Sequence, residues 1–190
     1  MTEYLILLLL PLVLVIFIWA TYNGLVKLHL RVKEAWAGID VQLKRRYDLL
    51  PDLIETARKA TAVDEQILTR VTELRSRAME EAAKNVSPIE RSELEGQLSS
   101  VVGDIKVQVE AYPDIKSHAE LTNLMEKVTE IEEKIAYSRQ FYNSNVLAYN
   151  TKLQIFPSNL VAQIFNFKED QFFEAVGDER KDVKVDFENK

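Results

Sequence analysis

The chain contains no cysteine among its 190 residues. Disulfide staples, thiol nucleophiles and cysteine-ligated zinc or iron–sulfur centres are thereby excluded, while any redox compartment stays open. Histidine is nearly as scarce. Only His29 and His118 occur, and neither has a glutamate three residues before it, so the Glu-x-x-His pairs with which helical bundles hold two metal ions are missing. There is no excess of positive charge either. A formal net charge of -6 and a pI near 5.1 speak against nucleic-acid binding, which needs a basic face to neutralise phosphates. Glycine and proline number five each, beside 47% apolar and 28% charged residues, a balance typical of a helical globular domain and too apolar for a disordered chain. No G-x-S-x-G, phosphate loop or dinucleotide fingerprint is present. No catalytic residue, cofactor or metal is therefore expected.

What the chain does have is one long apolar stretch. From Tyr4 to Val26 no residue is charged, a run of 23 residues that as a helix rises about 34 Å and crosses the hydrocarbon core with slight tilt. Pro11 falls near its start, where a spanning helix tolerates it. Tyr4 stands at one end and Trp19 and Tyr22 toward the other, the depths at which aromatic rings meet headgroups. A cleaved signal peptide is the rival. The length of the run, a Met1-Thr2-Glu3 leader without a basic side chain, and the lack of a small-x-small cleavage site all disfavour it. Lys27, Arg31 and Lys33 follow the run and only Glu3 precedes it. The positive-inside rule then places residues 1–3 outside, 4–26 in the membrane and the rest in the cytoplasm.

Beyond the run, apolar residues recur in steps of three and four: Leu28, Val32, Trp36, Ile39, Leu43, Tyr47, Leu50, Ile54 and Ala57. The spacing predicts a helix over 27–60 that continues the membrane helix without a break. A kink is expected at Pro51, which lacks an N–H and crowds the preceding turn. Ile67, Val71, Leu74, Ala78 and Ala82 predict a second helix over 64–84. Ser87-Pro88-Ile89-Glu90 opens a third, 88–112, with an N-cap, a proline at the first turn and a capping-box glutamate; Pro113 closes it. Ser117-His118-Ala119-Glu120 opens a fourth, 118–156, closed by Pro157. The expected fold is all-α, an N-terminal transmembrane helix continuous with a long antiparallel up-and-down four-helix bundle over 27–156. A Phe-rich short helix or turn near the membrane is expected over 157–176. A mobile polar tail follows over 177–190, where Val183 to Phe187 alternates weakly like a strand.

Helix lengths suggest how these parts reach the bilayer. The first helix runs some 50 Å beyond Lys27, the second and third roughly 30–38 Å, and the fourth, at roughly 54 Å, returns to the membrane surface. It delivers Phe156, Phe165, Phe167, Phe172 and Phe173, five of the eight phenylalanines. Two readings stay open: the rings pack on the base of the bundle, or they enter the interface as a second membrane contact. The second reading makes Trp19, Tyr22, Lys27, Arg31, Phe165, Phe167, Phe172 and Phe173 the membrane-interface residues. The first and fourth helices also overrun the other two, leaving a two-helix neck that exposes Val32, Trp36, Tyr142 and Tyr149. Exposed apolar stripes on long helices mark coiled-coil association surfaces, so a homo-oligomer through these residues is expected.

Gln42-Leu43-Lys44-Arg45-Arg46 is the most conspicuous charged constellation. Lys44 lies some 27 Å along a straight helix from the membrane edge, well beyond a Debye length of about 8 Å. Lys44, Arg45 and Arg46 are therefore expected to form a solvated or intersubunit charged face, paired with acids such as Glu126, Glu130 or Glu133. Those acids flank the apolar stripe of the fourth helix and do not make a metal site.

Several stretches together resemble the LemA family. They are Tyr22-Asn23-Gly24-Leu25-Val26; the unbroken run from Ala35-Trp36-Ala37-Gly38 through Lys44-Arg45-Arg46-Tyr47 to Leu50-Pro51-Asp52-Leu53; Ala111-Tyr112-Pro113-Asp114-Ile115-Lys116; Tyr142-Asn143 with Tyr149-Asn150; and Phe156-Pro157-Ser158-Asn159-Leu160. The resemblance implies a bacterial inner-membrane protein with a short external N-terminus and a cytoplasmic helical bundle, with relatives associated with magnetosome membrane formation. It implies no reaction. The turn Ala60-Thr61-Ala62-Val63-Asp64 departs from the family pattern by lacking a glycine. The function expected is that of a non-enzymatic, self-associating scaffold that organises or shapes the cytoplasmic face of the membrane. The alternative is a membrane-anchored adaptor that recruits a protease, sensor or other effector. Membrane lipid, further copies of the chain and a membrane-protein partner are the partners these readings imply.

Overall fold

The computed structural model describes residues 2–60, 63–84, 86–111 and 119–173, with the side chains of all of these except 2–8 and 10. Among the described residues the regular structure is entirely helical: α1 (Thr2–Lys59), α2 (Glu65–Ala83), α3 (Pro88–Ala111), α4 (Ala119–Gln154) and a short α5 (Ser158–Ile164). The expected roles of Thr61, Ala62, Tyr112, Pro113, Ser117 and His118, the strand-like Val183–Phe187 and the tail 177–190 lie outside the described residues.

α1 is one unbroken helix of 58 residues that runs through Pro51. A proline there deprives the carbonyl four residues back, that of Tyr47, of its helical donor. Arg75 of α2 fills the gap, its Nε donating to the Tyr47 carbonyl at 2.7 Å. The start of α3 follows its capping box. The backbone N–H of Ser87 donates to Glu90 Oε2 at 3.1 Å and that of Glu90 to Ser87 Oγ at 3.3 Å, so two otherwise orphaned donors are satisfied reciprocally. Asp64 caps α2 by accepting from the N–H of Gln66 at 2.8 Å.

α5 ends in a Schellman turn. Asn166 adopts a φ of 55°, a left-handed conformation that asparagine tolerates better than most side chains. The N–H of Asn166 then donates to Gln163 O at 3.2 Å and that of Phe167 to Ala162 O at 2.9 Å. The turn reverses the chain after α5, and residues 168–173 follow without regular structure.

The chain divides into two compact units. One is built from α1 up to Val41 and from Ala136 to Phe172; the other runs from Gln42 to Ile135. The second is a four-helix packing whose core includes Leu43, Leu50 and Leu53 of α1, Leu68 and Val71 of α2, Leu98 and Ile105 of α3, and Leu121 and Val128 of α4. In the first, Leu25, Val32 and Ile39 of α1 are buried, as are Tyr142, Val146 and Tyr149 of α4 and Val161 and Ala162 of α5.

Two stability predictions follow from the ends and interior of α3. Gly103 is exposed in mid-helix and a Cβ there meets nothing within 4 Å. Gly103→Ala should raise stability by about 0.5–1 kcal/mol through backbone entropy, and Ser87→Ala should lower it by about 1 kcal/mol through the lost cap. Urea unfolding of the detergent-solubilised chain reads both.

Candidate functional site

The N-terminal part of α1 is long and apolar enough to cross a membrane. Its side chains are exposed all round: every residue from Pro11 to Ala20 is exposed except the half-buried Ile18, and Trp19 is 68% exposed. Cover begins abruptly at Thr21 and is complete at Leu25. Within this stretch Asn23 hides its amide by donating from Nδ2 to the Trp19 carbonyl at 2.8 Å. From Thr2 to Ala20 the helix rises about 28 Å, close to a bilayer's hydrocarbon thickness of about 30 Å.

Just beyond the belt, α1 and α4 run antiparallel. Trp36 meets Tyr142 with ring centroids 5.2 Å apart, and His29 meets Tyr149 at 5.1 Å. A two-helix neck would leave these rings in water, but the chain leaving α5 lies back along the pair as a third layer. Asn150 and Asp170 bond reciprocally, Asn150 Nδ2 to Asp170 O at 2.9 Å and Asp170 N–H to Asn150 Oδ1 at 3.0 Å. Tyr142 Oη donates to Gln171 O at 2.8 Å, and Gln154 Nε2 donates to Glu169 Oε1 at 2.8 Å. His29 Nδ1 lies 3.1 Å from Asp170 Oδ2, which ties the returning segment to α1 as well.

The returning segment corrects the expected oligomer surface. Val32, Tyr142 and Tyr149 are buried within their own chain and Trp36 is half-buried, so these four are not a free association stripe. The apolar side chains the neck does expose are Leu30 and Val41 on α1 and Tyr137, Phe141 and Leu147 on α4. The expected membrane-interface set needs a correction as well. Phe173 is buried at 1% exposure and cannot meet lipid. Phe165 and Phe172 are exposed and Phe167 is half-buried; Lys27, Arg31 and Tyr22 are exposed. Phe165 and Phe167 both pack on Tyr22, at ring-centroid distances of 4.8 and 5.6 Å.

The charged block divides too. Lys44 and Arg45 are exposed, but Arg46 is fully buried and is not part of a solvated face. Its guanidinium is clasped from two helices. Nη1 donates to Ser99 Oγ of α3 at 2.7 Å and to Glu132 Oε1 of α4 at 2.8 Å, and Nη2 donates to Glu95 of α3. Tyr47 Oη donates to the other Glu95 oxygen, and Ser99 Oγ to Glu132 Oε2 at 2.9 Å. The acids that hold Arg46 are thus Glu95 and Glu132, not Glu126, Glu130 or Glu133. The reason lies in the helix register: Ile39, Leu43, Arg46, Leu50 and Leu53 follow one another in steps of four and three, so Arg46 falls on the buried stripe. Burial opposes its charge, but Glu132 and Glu95 outweigh that cost and hold its pKa above the ordinary value. Burial, with the Glu95 charge adding, pushes the Tyr47 phenol well up. Arg46 Nε is buried without a hydrogen-bond partner, and Glu132 keeps about a quarter of its side chain exposed.

Two clefts open between helices of the four-helix unit. One of about 580 Å³ between α1 and α4 is lined by Asp52, Glu55, Lys59, Glu120 and Lys127; another of about 490 Å³ lies between α3 and α4, lined by Lys106, Glu110, Glu126, Glu130 and Glu133. The charged side chains along both are exposed. Among the described residues, no three His, Asp or Glu side chains are grouped to hold a metal ion.

Comparison with known proteins gives a consistent picture. The model of the LemA family matches residues 35–187. Protein LemA of Metamycoplasma hominis is 26% identical over 85% of this chain and 72% of its own length. Magnetosome protein MamQ of Magnetospirillum gryphiswaldense and magnetosome protein MamQ 2 of Paramagnetospirillum magneticum are each 23% identical over 80% of this chain, which spans 64% of their length.

Arg46→Leu alone should cost about 3–5 kcal/mol, because it strands a buried carboxylate, and adding Glu95→Leu should recover much of the loss. Urea unfolding of the single and double variants measures both. A loss within about 0.5 kcal/mol for the single variant would mean that Arg46 is a surface charge after all. Tyr142 gives a pH prediction. Burial, with the Asp170 charge adding, pushes its phenol from 10.0 up to about 12. A raised folded pKa stabilises fully below pH 10 and loses that contribution as pH rises through about 12. Tyr47 and Tyr149 are also held above the ordinary phenol value, so alkaline spectrophotometric titration should show several late phenolates, of which Tyr142→Phe removes one, at a stability cost of about 1 kcal/mol for the lost bond to Gln171.

Proposed function

The chain belongs to the LemA family, and on that premise we propose that it is a non-catalytic, membrane-anchored helical scaffold of the bacterial inner membrane. Its copies associate and so organise or shape the cytoplasmic face. The observation that carries the reading is the apolar belt of α1. Leu12, Val13, Leu14, Val15, Ile16 and Phe17 all stand exposed. Leaving six such side chains in water costs on the order of 10 kcal/mol, as much as the whole stability of a typical domain. A bilayer relieves that cost without requiring any protein partner. Lys27, Arg31 and Lys33, exposed on one side of the belt, support an external N-terminus and a cytoplasmic bundle.

Self-association is supported by the exposed Leu30, Val41, Tyr137, Phe141 and Leu147. Tyr137 and Phe141 are one helical turn apart and present a joint aromatic surface of the kind that anchors interfaces. Extraction in mild detergent followed by native mass measurement tests the reading. A symmetric homo-oligomer is expected, and Phe141→Asp with Tyr137→Ser should shift it toward monomer. A wild-type monomer that co-purifies in equal amounts with one other protein would instead identify an adaptor and overturn the scaffold.

A further inference from the structure

The segment around α5 has a composition unlike the rest of the water-exposed chain. Between Lys152 and Lys168 no residue is charged, a gap of 15 positions. α5 lies within that gap and buries Ser158, Val161 and Ala162. Leu160 and Ile164, one turn apart on α5, are 50% and 71% exposed, and Phe156, in the turn that precedes the helix, is 78% exposed. Ile155 and Phe165 are exposed beside them. Single exposed apolar residues are ordinary, but five large ones between Ile155 and Phe165 without an intervening charge mark a contact surface.

The structure also ties one end of this segment to the end of the apolar belt. Phe165 packs on Tyr22 with ring centroids 4.8 Å apart, and Phe167 packs on the same ring at 5.6 Å. Tyr22 follows Ala20, where all-round exposure of α1 ends, by two residues. The stripe therefore continues the belt sideways at its aromatic end. Its bounding charges are both lysines, and Lys27 and Arg31 are exposed on the same side of the belt. Apolar side chains at that depth, flanked by basic ones, complement the boundary between acyl chains and anionic headgroups.

We infer that Phe156, Leu160, Ile164 and Phe165 form a second lipid contact, with α5 lying in the plane of an anionic bilayer beside α1 and Lys152 and Lys168 at its phosphates. The inference rests on the reading of α1 as a membrane anchor, and its test separates the two. The chain has no native cysteine, so single cysteines can carry a nitroxide in the full-length protein. Leu160→Cys and Ile164→Cys report on the stripe, Val15→Cys on the belt, and Val107→Cys, exposed on α3, on water. Each labelled protein is reconstituted in phosphatidylethanolamine–phosphatidylglycerol vesicles and probed with oxygen, which concentrates in lipid, and with a water-soluble nickel chelate. The expected result is that labels at 160 and 164 gain collisions with oxygen and lose them with nickel relative to 107, at a depth shallower than 15. If 15 reads as lipid while 160 and 164 read as water, the second contact is refuted and the anchor stands. If 160 and 164 are shielded from both reagents, protein covers the stripe and the inference fails. If 15 itself reads as water, the anchor reading falls and this inference with it.

Discussion

Two antiparallel helices can bury only the strip along which they touch, so a pair whose seam carries Trp36, Tyr142 and Tyr149 cannot stand alone in water. This constraint shapes the part of the chain nearest the apolar belt. The sequence after α4 meets it by turning through α5 and the left-handed Asn166 and running back over the seam. The backbone of that returning stretch would be costly to bury unpaired. Asn150 satisfies both polar groups of Asp170 as a strand neighbour would, and Tyr142 satisfies Gln171. The side chain of Asp170 then reaches His29, so one acidic residue joins both helices of the pair.

A different constraint rules the four-helix unit. There Arg46 occupies a position on the core stripe that an aliphatic residue would fill at lower desolvation cost. Glu95, Ser99 and Glu132 meet its guanidinium from α3 and α4, which ties both helices to α1 at this level. Arg75 plays a related part on the other side of α1, accepting the consequence of Pro51 by binding the carbonyl that the proline leaves open. The proline thus adds a specific link between α1 and α2 and does not end the helix.

Much of the helical architecture was readable because apolar periodicity and capping are local. Ser87 and Glu90 cap α3 in the way their spacing predicts. The same periodicity also marks Arg46 as buried, since it keeps the step pattern of Leu43 and Leu50, but its charge argues for solvent and obscures that signal. The acids that neutralise it lie 49 and 86 residues away, and no local pattern announces such partners. The returning segment was not legible for another reason. Lys168-Glu169-Asp170-Gln171 has no period and reads as a loop, so Tyr142 and Tyr149 look unprotected until the fold supplies their cover. The outer face of α5 was hidden by its shortness, because a helix of seven residues shows its periodicity only over two turns.

These features form a chain of dependence. The belt of α1 is apolar and exposed, the seam beyond it is covered by the returning segment, and that segment returns because α5 turns the chain beside Tyr22. That turn leaves the α5 stripe facing outward at the depth where the belt ends. A structure of the full-length chain in a lipid nanodisc tests this account most directly. It should show lipid encircling α1 from Leu9 to Ala20, with α5 lying at the bilayer edge and residues 168–172 still closed over the α1–α4 seam. Density for residues 9–20 packed against protein, with no lipid around them, would contradict it.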